Sequence, residues 1–339
     1  MRAARRPLAL TLGNPAGIGP DITLLAWARS REDLPPFVLI GDAGVLAERA
    51  RALSLDVPIA EISDPAATLD LFQSALPVLP VGGLRGVLIG RPNQASAPAV
   101  RHSIERAVSL VQEGKARAVV TNPISKAVLY GAGFPFPGHT EYLAALAAAK
   151  KSPVQPVMML VSPVLKVVPV TIHVPLKDVP GQLTSDLILS TLEITARDLR
   201  RYFGLERPRL AVTGLNPHAG EAGSLGREES ELIQPPIEAA RAKGLDITGP
   251  HPADTLFHEA ARARYDAAIC MYHDQALVPF KTLAFEEGVN VTLGLPFVRT
   301  SPDHGTAFDL AGTGKADPRS LIEALRLAAA MCQSAEARA

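Results

Sequence analysis

The sequence predicts an α/β protein built on buried, largely parallel strands, and three observations carry that expectation. Apolar runs of strand length end abruptly in polar residues: Ala267 to Met271 runs straight into Tyr272-His273-Asp274-Gln275. Between such runs lie segments with helical spacing, such as Val100, Ile104, Ala107, Val108 and Val111. The 339 residues suffice for two domains and a sizeable core. Open α/β sheets place ligands at the carboxyl ends of their strands, so the residues just after each apolar run are the first candidates for function.

In chain order, Pro7 to Leu12 reads as a first buried strand. It runs into the Gly-rich turn Gly13 to Asp21, with Pro20 in the first turn of a helix from Asp21 to Ala28. A helix start after such a turn suits an anion, although the dinucleotide fingerprint GxGxxG is absent. Phe37 to Ile40 is a strand, Leu53 to Gly90 short strands and loops, and Pro98 to Glu113 a helix. Ala116 to Val120 is a strand ending at Thr121-Asn122-Pro123-Ile124-Ser125-Lys126, where Ser125 can cap a helix. Lys126 at that helix start is a candidate ligand contact, because the position favours anions over cations. Phe134 to Gly138 is hostile to helix and ends in His139-Thr140-Glu141, the start of an alanine-rich helix to about Lys150.

Val157 to Val161 and Leu165 to Ile172 form an expected hairpin around Ser162-Pro163. A helix from Ser185 to Phe203, a strand from Leu210 to Leu215 and a Gly-rich segment turning helical from Glu221 to Glu231 follow. Gly249 to Thr255 reads as a rigid loop with polar tips. After the strand Ala267 to Met271, a second strand, Val289 to Leu295, carries Asn290. Arg299 and Asp303-His304-Gly305-Thr306 stand ahead of a short helical pattern, and Pro318 to Cys332 closes the chain as an amphipathic helix.

Composition excludes several classes. Lys plus Arg and Asp plus Glu balance at 34 each, so no basic excess drives nucleic-acid binding. Two cysteines, Cys270 and Cys332, make neither a disulfide framework nor a CxxC knot and fit a reducing compartment. The basic start, Met1 to Arg6, reads as a solvated end; Pro7 to Leu12 is too short for a signal core or a membrane span. The expectation is a cytoplasmic protein with no membrane partner.

Three of the eight histidines share a context: His173, His218 and His273 each follow an apolar strand. Any one alone is explained by structure, but parallel strands bring their carboxyl ends to one edge. Three imidazoles with an open position describe a catalytic divalent site, and nitrogen donors favour zinc, cobalt or nickel over magnesium. Asp254 and Asp274 can add oxygen ligands or orient the imidazoles. Lys281, Asn290 and Arg299 can donate hydrogen bonds to an anion.

Gly13 to Asp21, the TNPISK and PGHTEYLA runs, the TIH, NPHAGE and YHDQ segments, and GLPFVRTSPDHGTAFDLAG together resemble the 4-hydroxythreonine-4-phosphate dehydrogenases of vitamin B6 synthesis, from about Leu8 to the closing helix. The resemblance implies two α/β/α lobes around a cleft, isocitrate/isopropylmalate dehydrogenase-like. Residues 1–130 plus 288–339 would form one lobe and 131–287 the other. It implies NAD- or NADP-dependent oxidation of 4-phosphooxy-L-threonine at C3, then decarboxylation, with zinc, magnesium or cobalt. It gives His173, His218 and His273 as metal ligands, and His139, Thr140, Lys281, Asn290 and Arg299 as substrate contacts. The HGTAFDLAG run, with His304, Gly305, Thr306 and Asp309, is similar to a loop that faces the nucleotide. Asp254 or Asp274 would take the hydroxyl proton. The family is homodimeric, with an active site formed by both subunits. One departure is Asn14, where an aspartate is expected.

Related dehydrogenases of 4-phospho-D-threonate, 4-phospho-D-erythronate or aromatic cis-dihydrodiols would keep the same histidines. A non-catalytic phosphate- or metal-binding protein, or a metal hydrolase, would leave the HGTAFDLAG loop idle.

Overall fold

The computed structural model describes residues 6–82, 84–148 and 154–338. The basic stretch Met1 to Arg5 and the expected helix end at Lys150 lie outside them. The chain forms two compact units, residues 1–156 with 295–337, and 157–294.

The first unit begins with β1 (Leu8–Thr11), α1 (Gly19–Ser30), β2 (Phe37–Gly41), α2 (Ala43–Ala52), β3 (Ile59–Glu61) and β4 (Leu76–Pro80). It continues through α3 (Ala97–Gln112), β5 (Ala118–Val120), α4 (Lys126–Gly131) and α5 (His139–Ala148). The second unit contains β6 (Val157–Val161), β7 (Lys166–Pro169), α6 (Ser185–Phe203), β8 (Arg209–Thr213), α7 (Gln234–Ala242), β9 (Asp246–His251), β10 (Ala267–Cys270), α8 (His273–Ala284) and β11 (Val289–Leu293). The chain returns to the first unit with β12 (Val298–Pro302) and α9 (Arg319–Glu336). Shorter helical turns join these elements.

In the first unit the strands order β3-β4-β2-β1-β5-β12, and every pairing is parallel. That explains why β1 and β2 are buried at every residue: both faces are covered. α3 turns Val100, Ile104, Ala107 and Val108 into the core beneath β1 and β2. α9 covers β12, β5 and β1. The second unit orders β11-β6-β7-β10-β8-β9 and is mixed. The expected hairpin is present as antiparallel β6 and β7, while β7-β10-β8-β9 run parallel. α6 is delimited as its sequence prescribes. Thr184 caps the start through Leu187 N at 3.1 Å, and Gly204 closes it at φ 73°.

Three expectations need correction. The chain crosses between units at 156/157 and 294/295, later than 130/131 and 287/288. α5 packs with the first unit through Tyr142, whose ring meets Phe134 edge-on and lies tilted against Phe136 and whose hydroxyl donates to Glu105 at 2.5 Å. The loop expected from Gly249 is still strand as far as His251: a Cβ on Gly249 would stand 2.4 Å from Val212 O, so only glycine lets β9 close on β8. Arg299 lies on a strand, β12, and turns rather than a helix follow Thr306. HDQALVPFKTLA, for which the sequence carries no clear signal, is helical despite Pro279 within it. Among the described residues no helix is long and apolar enough to cross a membrane.

Candidate active site

Two sets of candidate side chains emerge, one in each unit. In the second unit, β10 lies between β7 and β8, with Cys270 level with Pro169 and Ile269 level with Val212. The three strands therefore finish together, and the histidines follow their ends. Main-chain and side-chain bonds lace the exits. Thr171 donates its N–H and hydroxyl to Met271 O at 3.2 and 2.8 Å. Gln275, buried, accepts from Met271 N and Thr213 Oγ1, both at 2.7 Å, and donates to Gly214 O at 2.8 Å. Gln275 stood in the YHDQ motif without an assigned role, and only the fold reveals what it joins.

His173 and His273 meet at this edge, with ring centroids 5.7 Å apart. Both line an open cavity of about 400 Å³ together with Tyr272 and Asp274. Asp274 Oδ1 lies 2.7 Å from His273 Nδ1; with the proton on Nδ1, the Nε2 lone pair is left for a metal.

His218 follows the end of β8 but does not join them. Among the described residues, no three of His, Cys, Asp or Glu stand together as a metal-holding group. His218 opens a left-handed turn: φ is 52° at His218, 51° at Ala219, 44° at Glu221 and 53° at Ala222, with Gly220 at 80°. Left-handed backbone costs roughly 1–2 kcal/mol per non-glycine residue. Asp254 is exposed on a helical turn packed beside this loop. The donor chemistry and the His173–His273 pair fit part of a divalent-metal site; a third ligand must come from elsewhere.

Lys281 and Asn290 also lie in the second unit, away from the histidine edge. Lys281 is eight residues along α8 from His273, about 12 Å by helical rise; its ammonium sits 5.8 Å from the Phe285 ring centroid. Asn290 pairs with Leu160, itself paired with Val167, which places it at mid-sheet level. Its Oδ1 is enclosed without a partner, so it has capacity for a donor.

The first unit holds a cationic cluster. Arg299 is buried on β12, and its Nη2 donates to Thr121 Oγ1 at 2.6 Å. Burial pulls its guanidinium down to about 10, against the opposing pull of Glu141. Burial, then Arg299 and Lys126, hold the His139 imidazole well below its ordinary value, so it is neutral, and its Nε2 is enclosed without a partner. His139 and Thr140 open α5, a helix start that favours anions. Gly138 lets Lys126 come close: a Cβ there would touch Lys126 Cε at 3.3 Å. Ser125 caps α4 as its sequence suggested. Of the expected substrate contacts, the structure brings together His139, Thr140 and Arg299, with Lys126 beside them.

The Gly-rich turn and the HGTAFDLAG loop are also in the first unit, and they touch. Ile18 N donates to Thr306 O at 3.0 Å, and a Cβ on Gly17 would stand 2.7 Å from the same oxygen. Asp21 accepts from Gly312 N at 2.7 Å and pairs with Arg49. Arg49 is fully buried and donates to Gly17 O and Pro15 O. Asn14 is buried and accepts from Ala16 N at 3.0 Å, so the neutral residue closes the turn without burying a charge. This backbone-lined surface suits a nucleotide. His304, Gly305, Thr306 and Asp309 lie on its partly exposed rim.

Comparison with known proteins places the chain in one family. Residues 33–328 match the family model described as pyridoxal phosphate biosynthetic protein PdxA. A 4-hydroxythreonine-4-phosphate dehydrogenase from Bradyrhizobium diazoefficiens is 59% identical over 337 residues, covering 97% of each chain. A solved 4-hydroxythreonine-4-phosphate dehydrogenase from Klebsiella pneumoniae superposes with a TM-score of 0.86 at 37% identity, over 97% of this chain and all of that one. A terephthalate 1,2-cis-dihydrodiol dehydrogenase from Burkholderia xenovorans reaches 0.64 at 27% identity, over 96% of this chain and 98% of that one. The chain belongs to the 4-hydroxythreonine-4-phosphate dehydrogenase family.

Proposed function

We propose that the chain oxidises 4-phosphooxy-L-threonine at C3 with NAD or NADP, giving 2-amino-3-oxo-4-phosphooxybutanoate. This product loses carbon dioxide to leave 3-amino-2-oxopropyl phosphate, a step in pyridoxal phosphate synthesis. The observation that carries the reading is the cluster in the first unit, in which buried Arg299 and exposed Lys126 stand near a neutral His139 at the start of α5. Two cations and a helix N-terminus suit a phosphate dianion, and the enclosed His139 Nε2 has room for one more hydrogen bond. Thr140 adds a hydroxyl; Lys281 and Asn290 remain assigned to the substrate as further donors.

Oxidation breaks the C3–H bond with its electron pair, and a bound nicotinamide would accept the hydride. The hydroxyl proton goes to a base, for which Asp274, already paired with His273, and Asp254 are the candidates. The ketone so formed is β to the carboxylate, and loss of carbon dioxide leaves an electron pair at C2 that is then protonated. His173, His218 and His273 would hold a divalent metal, which would supply Lewis acidity when bound. The loop around Thr306 and Gly312, closed on the Gly-rich turn, holds the nucleotide. Because three ligands do not gather within one chain, we assign the complete histidine set to a homodimer in which two copies share each metal. The cytoplasm, where both buried cysteines stay reduced, is the compartment assigned.

The test follows reduced cofactor by absorbance, with 4-phosphooxy-L-threonine, 4-phospho-D-erythronate and 4-phospho-D-threonate as parallel substrates, with and without chelator. Chelator-sensitive reduction with the threonine derivative alone is expected. Reduction only with the sugar acids would move the substrate assignment to the neighbouring branch, and no reduction with any of them would refute it.

A further inference from the structure

The left-handed turn that carries His218 is organised around one buried carboxylate, that of Glu229. Its Oε1 accepts from Leu215 N and from Asn216 N, both at 2.8 Å. Its Oε2 accepts from Asn216 Nδ2 at 3.1 Å, and the same amide donates to Glu228 Oε2 at 2.7 Å. These bonds fix the two residues that lead, through Pro217, into His218.

Two glycines make room for the carboxylate. A Cβ on Gly220 would stand 2.4 Å from Oε2, and one on Gly214 would stand 2.9 Å from Oε1. The carboxylate therefore fills the hollow of the loop, touching it before and after His218. Glu229 itself opens a single π turn, Glu229–Ile233, ahead of α7. Such turns cost regular hydrogen bonding and concentrate at functional sites.

We propose that Glu229, acting through Asn216, is a positioning residue that holds His218 where a divalent metal is bound. The proposal rests on the reading of His218 as a ligand. Glu229 does not touch the metal; it sets the backbone from which the imidazole projects. Outer residues of this kind change metal affinity by about 10–100-fold.

The test titrates the full-length protein with cobalt(II) and reads its visible absorption. The protein is compared with His218→Ala, Glu229→Ala, Glu229→Gln and Asn216→Ala, with circular dichroism as a check on folding. His218→Ala is expected to lose the cobalt spectrum. Glu229→Ala is expected to bind about 10–100-fold more weakly, with its far-ultraviolet spectrum unchanged. Glu229→Gln keeps an acceptor for both main-chain donors and is expected to recover most of the affinity. A Glu229→Ala protein that binds cobalt within twofold of the parent overturns the proposal while leaving His218 as a ligand. Should Glu229→Ala not fold, Asn216→Ala decides, since it keeps the buried carboxylate: fivefold weaker binding or more supports the proposal, and unchanged binding overturns it. Undiminished cobalt binding by His218→Ala would remove the ligand reading and the proposal with it.

Discussion

Replacing Arg299 with methionine should separate binding from folding. The guanidinium is buried, and burial pulls its pKa down to about 10. Methionine has similar length and no charge, so it removes the cost of burying the cation. It also strands Thr121 Oγ1, which accepts from Arg299 Nη2 at 2.6 Å, for a loss of about 1 kcal/mol, and gives up the guanidinium's further contact. These opposed effects should leave the ligand-free melting temperature within a few degrees of the parent. Binding changes far more. Two charge-assisted bonds to a phosphate, each worth about 1.5–3 kcal/mol, are lost, so the Michaelis constant for phosphorylated substrate should rise at least about 100-fold. Scanning fluorimetry with and without phosphate reads both effects at once. A variant that phosphate stabilises as much as it does the parent would refute the reasoning, because it would make Arg299 a structural cation rather than an anion contact.

Three further outcomes follow from the geometry. His139 is held neutral below its ordinary pKa, so the unfolded chain takes up its proton first; its contribution is complete above about pH 6.5 and is lost as pH falls below that. The melting temperature of His139→Asn should therefore fall less between pH 7 and pH 5.5 than that of the parent, and parallel curves would contradict the assignment. Gln275→Leu strands Met271 N and Gly214 O at the strand ends and should cost about 2–5 kcal/mol in chemical denaturation; a loss under 1 kcal/mol would show that the exits do not depend on it. Arg49→Met leaves the Asp21 carboxylate buried and unpaired, at about 3–5 kcal/mol. Because Asp21 also holds Gly312, the Michaelis constant for the dinucleotide should rise more than that for phosphorylated substrate, and equal changes would make the pair purely structural.

The strands and the three strand-end histidines were legible because both signals are local. An apolar run that stops at a polar residue marks a buried strand and its exit, and α6 was bounded correctly by a cap and a glycine that lie within its own sequence. Elements that depend on distant partners were not legible. β12 reads VRTSP, too short and polar to announce a strand, and it exists because it pairs with β5 nearly two hundred residues earlier. α8 carries Pro279, which masks its helical pattern; it is positioned by Gln275, whose partners lie at the ends of two other strands. Arg49 sits in AERARA and resembles any surface arginine until Asp21 and the carbonyl groups of Pro15 and Gly17 surround it. Glu229 likewise reads as one glutamate in an acidic run, and its burial is a property of the loop folded over it.

The two sets of site residues share a thermodynamic logic although their chemistry differs. In the first unit, buried Arg299 and exposed Lys126 stand near an imidazole that burial keeps neutral, an arrangement that suits an anion. In the second, exposed imidazoles stand at strand ends, and one is carried on backbone of the costly hand. On the proposed reading, a phosphate beside Arg299 and a metal at the histidines would return the free energy that burial of the guanidinium and left-handed backbone withhold from folding. Glu229 and Gln275, both buried, hold the His218 turn and the strand exits through their hydrogen bonds with no ligand bound.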